Sequence, residues 1–364
     1  MTSSLSRFAT RAAYGARQLP RIAWYLGHGI AMSRAAQRQR EQDRESARPR
    51  PHTDGPTPDR KRFLADLGAL WRQDLANVEA GIYPVPADHD GSFAALIERS
   101  RLFFEDLPVV HRRRENGEHS EVLTEENRGK RPRYYLQNFH FQSGGWMTED
   151  SAKRYDTQVE VLFNGAANAI RRQALPFLSE AFKGRDQRQL RLLDAGCGTG
   201  RFLDFVKQAW PRLRVTGLDL SEPYLDEARR HLARWPRAGL IVGNMELIPL
   251  PDESQDAVTS IFVFHELPPK VRRTVLREFA RVLKPGGRLV LVDSLQCGDE
   301  PDYDGLLDLF PQSFHEPYYK SYIGEDFTTL CNECGLTNAG TTKAFVSKVM
   351  AFDKPARPET QGAG

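Results

Sequence analysis

The sequence holds little cysteine, four residues in 364. That is too few and too scattered for a disulfide framework, and it fits a reducing, cytoplasmic setting. It has no long apolar run either. The longest mostly apolar stretch, Ile22 to Met32, is 11 residues long and contains His28, well short of the ~20 residues a bilayer-spanning helix needs. With 28 Gly and 23 Pro, the composition is neither collagen-like nor low-complexity. No internal repeat is visible. Acidic side chains are missing altogether from the first 40 residues.

That last absence exposes a charge asymmetry beneath the overall net charge of +3. Residues 1–62 carry 13 basic and five acidic side chains, the remainder 38 basic and 43 acidic. A basic arm is joined to a mildly acidic body. No basic stripe with interleaved aromatics runs through that body, so nucleic acid is not an expected partner. The length suits two domains, or one large α/β domain with extensions.

Within the arm, Leu5, Phe8, Ala12, Gly15, Leu19, Ile22, Leu26 and Ile30 recur at steps of three or four. Arg7, Arg11, Arg17, Arg21 and Arg34 fall outside that set. The spacing predicts a basic amphipathic helix interrupted at Pro20. Three uses fit it: packing on its own domain, peripheral membrane contact through residues 1–40, or organellar targeting. Residues 41–62 read as a charged, Pro-rich linker. Helical spacing resumes at Phe63–Val78 and again near Phe93–Leu107, and His111–Arg133 reads as a loop. An aromatic-rich stretch around Gly144-Gly145 follows, and a further helix is expected over about 166–182. We therefore expect an arm and linker over 1–62, a helical, aromatic-rich cap over 63–165, an α/β domain over 166–355 and a disordered tail over 356–364.

From Leu190 onward short apolar runs alternate with helical ones, as in a parallel α/β sheet. Strands are expected near 190–195, 213–219, 238–242, 256–262, 287–293, 335–342 and 345–351. The stretch LRLLDAGCGTGRFL (190–203) takes a buried strand into Asp194, then Gly196, Gly198 and Gly200, then a helix. Alternating glycines let the backbone turn and approach a ligand closely. The third glycine comes one place too early for a dinucleotide fingerprint, and no Gly-Lys-Ser/Thr follows for a P-loop. The next strand ends in Asp219, where an acid can hold both hydroxyls of a ribose. Asn244, Met245 and Glu246 follow the third strand. DAVTSIFVFHELP (256–268) and VLKPGGRLVLVDS (282–294) complete the series.

These four ordered segments, spanning about 190–295, resemble the class I S-adenosylmethionine-dependent methyltransferases. The resemblance implies a Rossmann-like, seven-stranded, mostly parallel sheet with a reversed last strand, and S-adenosyl-L-methionine as cofactor. It assigns Asp194 and the Gly196, Gly198 and Gly200 loop to the methionine portion of that cofactor. Asp219 goes to the ribose, Leu220 beside the adenine, and Asn244, Met245 and Glu246 to the adenine edge. Phe262 to Glu266 fall beside the reacting methyl. The PLPDES, FVFHELP and VLKPGG segments look most like the ubiquinone/menaquinone-biosynthesis (methyltransferase type 11) group, whereas residues 1–165 and FHEPYYKSY (314–322) are not shared with it.

The expected acceptor is a small molecule. The aromatic-rich segments 134–155 and 314–322 suit a lid over a planar or apolar one. Tyr155, Phe264, Glu266, Tyr318 and Tyr319 are the candidate substrate residues. A general base matters only where the acceptor has a proton to lose, and His265 and His315 are the candidates, followed by Glu266 and Tyr155. Cys331 and Cys334 form only half of a metal-binding pattern, so no metal is expected. Alternatives are a membrane-associated enzyme acting on a lipid-soluble quinone or isoprenoid, and a non-catalytic cofactor-binding protein. A protein or nucleic-acid methyltransferase fits poorly, because no Asn/Asp-Pro-Pro-Tyr/Phe motif follows the fourth strand.

Overall fold

A computed structural model describes residues 4–42, 51–88 and 90–357. The expected linker over 43–50 and tail over 358–364 lie outside the described residues. The α/β part is built on seven strands: β1 (Arg191–Ala195), β2 (Arg214–Asp219), β3 (Ala238–Val242), β4 (Gln255–Ile261), β5 (Leu283–Ser294), β6 (Thr337–Ala344) and β7 (Ser347–Asp353). They form one sheet in the order β3-β2-β1-β4-β5-β7-β6. The first five strands run parallel, and β7 lies antiparallel between β5 and β6. This is the Rossmann-like arrangement with a reversed last strand that the motif order implies.

Strand side chains alternate between faces, which divides the core in two. Leu192, Val215, Ala257 and Val290 pack on one face. Leu193, Val258, Leu289 and Leu291 pack on the other. Covered on both sides, these strands read as continuous apolar runs.

Before the sheet come α1 (Ser4–Gln42), α2 (Arg60–Glu79), α3 (Phe93–Asn116), α4 (Glu149–Leu162), α5 (Ala167–Arg172) and α6 (Leu175–Ala181). Within and after it lie α7 (Arg201–Ala209), α8 (Glu222–Leu232), α9 (Pro269–Val282), α10 (Asp304–Ser313), α11 (Tyr319–Ile323) and α12 (Phe327–Glu333). The single helix expected over 166–182 is therefore two short ones, the second opening with Pro176 in its first turn, where proline is well tolerated. The expected loop from His111 is corrected as well. Helix α3 continues through Pro108 to Asn116 and closes on Gly117, whose N–H meets the carbonyls of Arg113 and Arg114. Burial of His111 and Phe103 against neighbouring elements outweighs the break that proline favours.

Helix α1 departs furthest from expectation. It is continuous through Pro20, and the face it buries is not the apolar one. Tyr14, Gln18, Arg21, Tyr25 and His28 are buried, and most of them are tied down by polar contacts. Gln18 donates to Asp88 at 2.7 Å, and Arg21 meets Glu160 at 2.6 Å and Asp90 at 2.9 Å. His28 Nε2 lies 2.8 Å from Ser100 Oγ. These contacts on both sides of Pro20 hold the helix together despite the lost backbone bond, a penalty of ~3 kcal/mol. Meanwhile Leu5 (79%), Phe8 (73%), Leu19 (66%) and Ile30 (55%) stay exposed.

The cap is keyed to the sheet domain by a buried charge network. Arg172 of α5, fully buried, pairs with Asp74 of α2 at 2.7 Å and with Asp88 at 3.1 Å. Tyr14 and Tyr83 both donate to the same Asp74 carboxylate. Buried ions persist only when every partner is in place. The network thus fixes α1, α2 and α5 in one arrangement.

Candidate functional site

The carboxyl ends of β1, β2, β3 and β4 converge beside the point where the strand order reverses, between β1 and β4, the usual ligand position in such sheets. A narrow pocket there is lined by Gly196, Gly198, Asp219, Leu220, Met245 and Phe262, with Tyr134, Tyr135, Trp146, Tyr155 and Glu266 opposite. Gly196 must be glycine for two reasons. Its φ is +73°, and a Cβ would come within 2.7 Å of Val263 Cγ2. Asp219 is held by the N–H groups of Gly198 (2.8 Å) and Ser221 (2.9 Å). Burial still raises its pKa against those hydrogen bonds. A buried carboxylate aimed into an aromatic-walled pocket fits the ribose hydroxyls of S-adenosyl-L-methionine, and the glycine loop gives that ligand close backbone approach.

Other residues assigned to the cofactor are placed beside this pocket and do not line it. Gly200 opens α7 with φ +74°, and a Cβ there would press on Ala228 at 3.1 Å, so its role is helix packing. Asp194 is buried and accepts the Thr259 hydroxyl at 2.6 Å. Burial pushes its pKa to about 7, the Thr259 bond opposing and the charge of Asp219 adding. Asn244 and Glu246 close their own turn, and Glu246 also accepts Tyr134 OH at 2.8 Å.

That last contact belongs to a lid. Residues 131–146 lie across the strand ends: Arg131 donates to the Leu220 carbonyl, Ser221 Oγ to the Trp146 carbonyl (2.6 Å), and Trp146 Nε1 to Glu266 (3.2 Å). The lid thus covers the pocket beside Asp219 and Leu220.

Behind it opens a second cavity of about 370 Å³, within the size range of small-molecule sites. Met32, Phe103, Leu107, Phe310, Phe314 and Tyr319 supply much of its apolar wall. His140, His265, Glu266 and Asp293 supply its polar end. Trp146, Tyr155, Phe262 and Glu266 line both cavities. Phe262 sits at this junction with φ +58°, an unfavourable conformation for a non-glycine residue and one that concentrates at functional sites. Its ring stacks on Phe163 at 5.1 Å.

At the polar end, His265 Nδ1 lies 2.6 Å from Asp293 Oδ1. Burial opposes the charged ring, but the Asp293 charge and hydrogen bond prevail and raise its pKa to about 10. The pairing with Asp293 favours the charged ring and so works against the general-base role expected of His265. Burial pushes the carboxyls of Glu266 and Glu316 upward and the imidazole of His140 down to about 3.

Among the remaining candidates, Tyr155, Glu266 and Tyr319 reach the large cavity. Phe264 does not: it is buried against Phe279 and Phe327 as core. Tyr318 packs against the lid cluster of Phe139 and Trp146. His315 faces a different, surface cleft, stacks on His119 at 4.1 Å and bonds Gln137 at 2.7 Å. Sequence reasoning passed over His140, Trp146, Asp293 and Glu316. His140 and Glu316 stand in the FHF (139–141) and HEP (315–317) triplets of the two aromatic-rich segments. Cys331 and Cys334 are free thiols at the end of α12.

Residues 192–287 match the family model described as a methyltransferase domain. Over these residues the chain is similar to methyltransferase domains, in agreement with the strand order of its sheet. A demethylmenaquinone methyltransferase from Thermotoga maritima is 34% identical over 144 residues, 40% of this chain and 58% of that protein. A ubiquinone/menaquinone biosynthesis C-methyltransferase from Geobacter sulfurreducens is 34% identical over 151 residues, 40% of this chain and 56% of its own length. The chain thus spans little more than half the length of these relatives. Among solved structures, a SAM-dependent methyltransferase from Aquifex aeolicus aligns at 19% identity, covering 57% of this chain and 98% of its own, with a TM-score of 0.41.

Proposed function

We propose that the protein transfers a methyl group from S-adenosyl-L-methionine to a small, largely apolar, ring-bearing acceptor. The observation carrying this reading is the shared wall. Trp146, Tyr155, Phe262 and Glu266 border both the cofactor-type pocket and the large apolar cavity. A sulfonium methyl at that boundary faces an acceptor held by Phe103, Leu107 and Tyr319. Methyl transfer from a sulfonium is an in-line displacement, for which positioning alone can supply ~7–11 kcal/mol. The lid and aromatic wall exclude water from the junction. Glu266, its oxygen anchored by Trp146 Nε1, is the acceptor-side group best placed to take a proton.

Supplying the purified protein with methyl-labelled cofactor and a cell extract tests this. Label is expected in a small organic-extractable, ring-bearing product and is lost in Phe262→Ala. Label confined to protein or nucleic acid refutes the reading, and no incorporation at all favours a non-catalytic binding protein.

A specific observation supports a lipid-soluble acceptor, such as the quinones named for the relatives. The exposed residues Leu5, Phe8, Leu19 and Ile30 of α1 lie on a helix that also presents Arg7, Arg11, Arg34 and Arg38 to solvent, the chemistry of an anionic membrane surface. Met32 of the same helix lines the acceptor cavity, so docking would bring its mouth to the lipid. No described helix is long and apolar enough to cross a membrane, so the contact is peripheral, made by a cytoplasmic protein. Vesicles containing anionic lipid are expected to pellet the protein, and the quadruple change of those four apolar residues to Ser to abolish it. Equal pelleting of both forms refutes the role of α1.

A further inference from the structure

Four side chains with metal-ligand chemistry, from three separate parts of the chain, gather at the polar end of the acceptor cavity, and three of them (His140, His265 and Glu266) line it. His140 comes from the lid, His265 and Glu266 from the segment after β4, and Glu316 from the segment after α10. One potential ligand atom from each lies within 4.8 Å of every other. Ligand atoms around a tetrahedral zinc-sized ion stand roughly 3.4 Å apart, so side-chain rotations that draw the four inward would close the set.

Two features of this cluster lack an explanation within the protein alone. Glu316 is 4% exposed, yet neither carboxylate oxygen has a hydrogen-bond partner. Its Oε1 stands 3.0 Å from His140 Nε2 without hydrogen-bond geometry. A buried carboxyl whose two oxygens both lack a hydrogen-bond partner is unfavourable in either protonation state, so something else is expected to meet it. Second, Asp293 grips His265 by Nδ1 and also accepts its backbone N–H at 3.3 Å. That fixes the ring and turns Nε2 toward Glu266, 4.0 Å away. A carboxylate holding one ring nitrogen while the other faces the site is how metal-binding histidines are oriented.

We propose that His140, His265, Glu266 and Glu316 bind a divalent first-row transition ion, with Asp293 as the positioning residue. Two imidazoles with two carboxylates suit Zn²⁺, Fe²⁺ or Mn²⁺ better than Mg²⁺ or Ca²⁺, which favour all-oxygen sets. Lying at the floor of the acceptor cavity, it would hold an oxygen of the acceptor and favour the ionised form of a phenol or hydroquinone group there.

The test reads binding and so is independent of methyl transfer. The full-length protein, stripped with a chelator, is titrated with Co²⁺ while its visible absorption is followed, and Zn²⁺ and Mn²⁺ are then added as competitors. One Co²⁺ per chain is expected. His140→Gln and Glu316→Gln should each weaken binding by about tenfold or more, whereas exposed His52→Gln should leave it unchanged. Absence of saturable binding of all three ions by the wild-type protein overturns the proposal, and so does unchanged affinity in both cluster variants. Should either variant melt early, the wild-type titration decides.

Discussion

Removing the Asp219 carboxylate is the most direct challenge to the cofactor site. The side chain stands at the end of β2, with one oxygen on the Gly198 N–H at 2.8 Å and the other on the Ser221 N–H at 2.9 Å. Each carboxylate oxygen keeps a further lone pair for a ribose hydroxyl. Two charge-assisted hydrogen bonds at about 1.5–3 kcal/mol each are therefore at stake. Not all of that appears as lost affinity. In the free protein the carboxylate is buried and its pKa raised, so the variant also escapes a desolvation cost that the native site bears. A net loss of at least about tenfold in affinity, roughly 1.4 kcal/mol, is the expected result for Asp219→Ala. Asp219→Asn, which keeps one acceptor oxygen, should fall between. Calorimetry with S-adenosylhomocysteine measures this, and the melting temperature verifies the fold. An unchanged dissociation constant in a folded Asp219→Ala protein would refute the assignment.

The remaining predictions address the lid, the cap and the buried acid. Trp146 borders both cavities, so S-adenosylhomocysteine should change the intrinsic fluorescence and Trp146→Phe should lose most of that change; an equal signal in the variant places the ligand elsewhere. Asp74→Ala takes from the fully buried Arg172 its bidentate partner, leaving it Asp88 alone, and from Tyr14 and Tyr83 their acceptor, and should cost about 3–5 kcal/mol in urea unfolding; a loss below about 1 kcal/mol contradicts the network. Asp194, raised to about 7 when folded, favours the folded state while it stays protonated. Its penalty thus starts near pH 4, grows as pH rises and is complete above 7, amounting to roughly 4 kcal/mol at most. The melting temperature of Asp194→Asn should accordingly gain on wild type between pH 5 and pH 8, and parallel curves would sink the point.

Together, the two cavities divide the work as the fold does. Strand ends and glycine turns make the cofactor pocket, while the acceptor cavity is made mostly of elements outside the matched domain: α1, α3, the lid and the segment after β5. On the proposed function, acceptor choice would reside largely outside residues 192–287, the part that matches the family model.

By itself, the sequence determined the strands, their parallel α/β alternation and the glycine loop, while the reversed last strand came from the family resemblance. The first three follow from local signals: apolar runs of strand length, glycines where backbone must turn or approach, and an acid at a strand end. Strand boundaries were legible to within a few residues for the same reason, save at β5, whose Gly286-Gly287 bulge is absorbed into the strand. Only the tertiary structure decided which face of α1 is buried. Its apolar periodicity is genuine, but Arg21, Gln18 and Tyr14 find partners in α2, α4 and Asp88–Asp90 that no local pattern reveals. Pro20 and Pro108 likewise stay inside helices because packing on both sides outweighs one missing hydrogen bond. The polar cluster was hidden for a related reason. His140, His265 and Glu316 are separated by 125 and 51 positions in the chain, and it takes the sheet, the lid and α10 folding together to bring their donor atoms within reach of one ion.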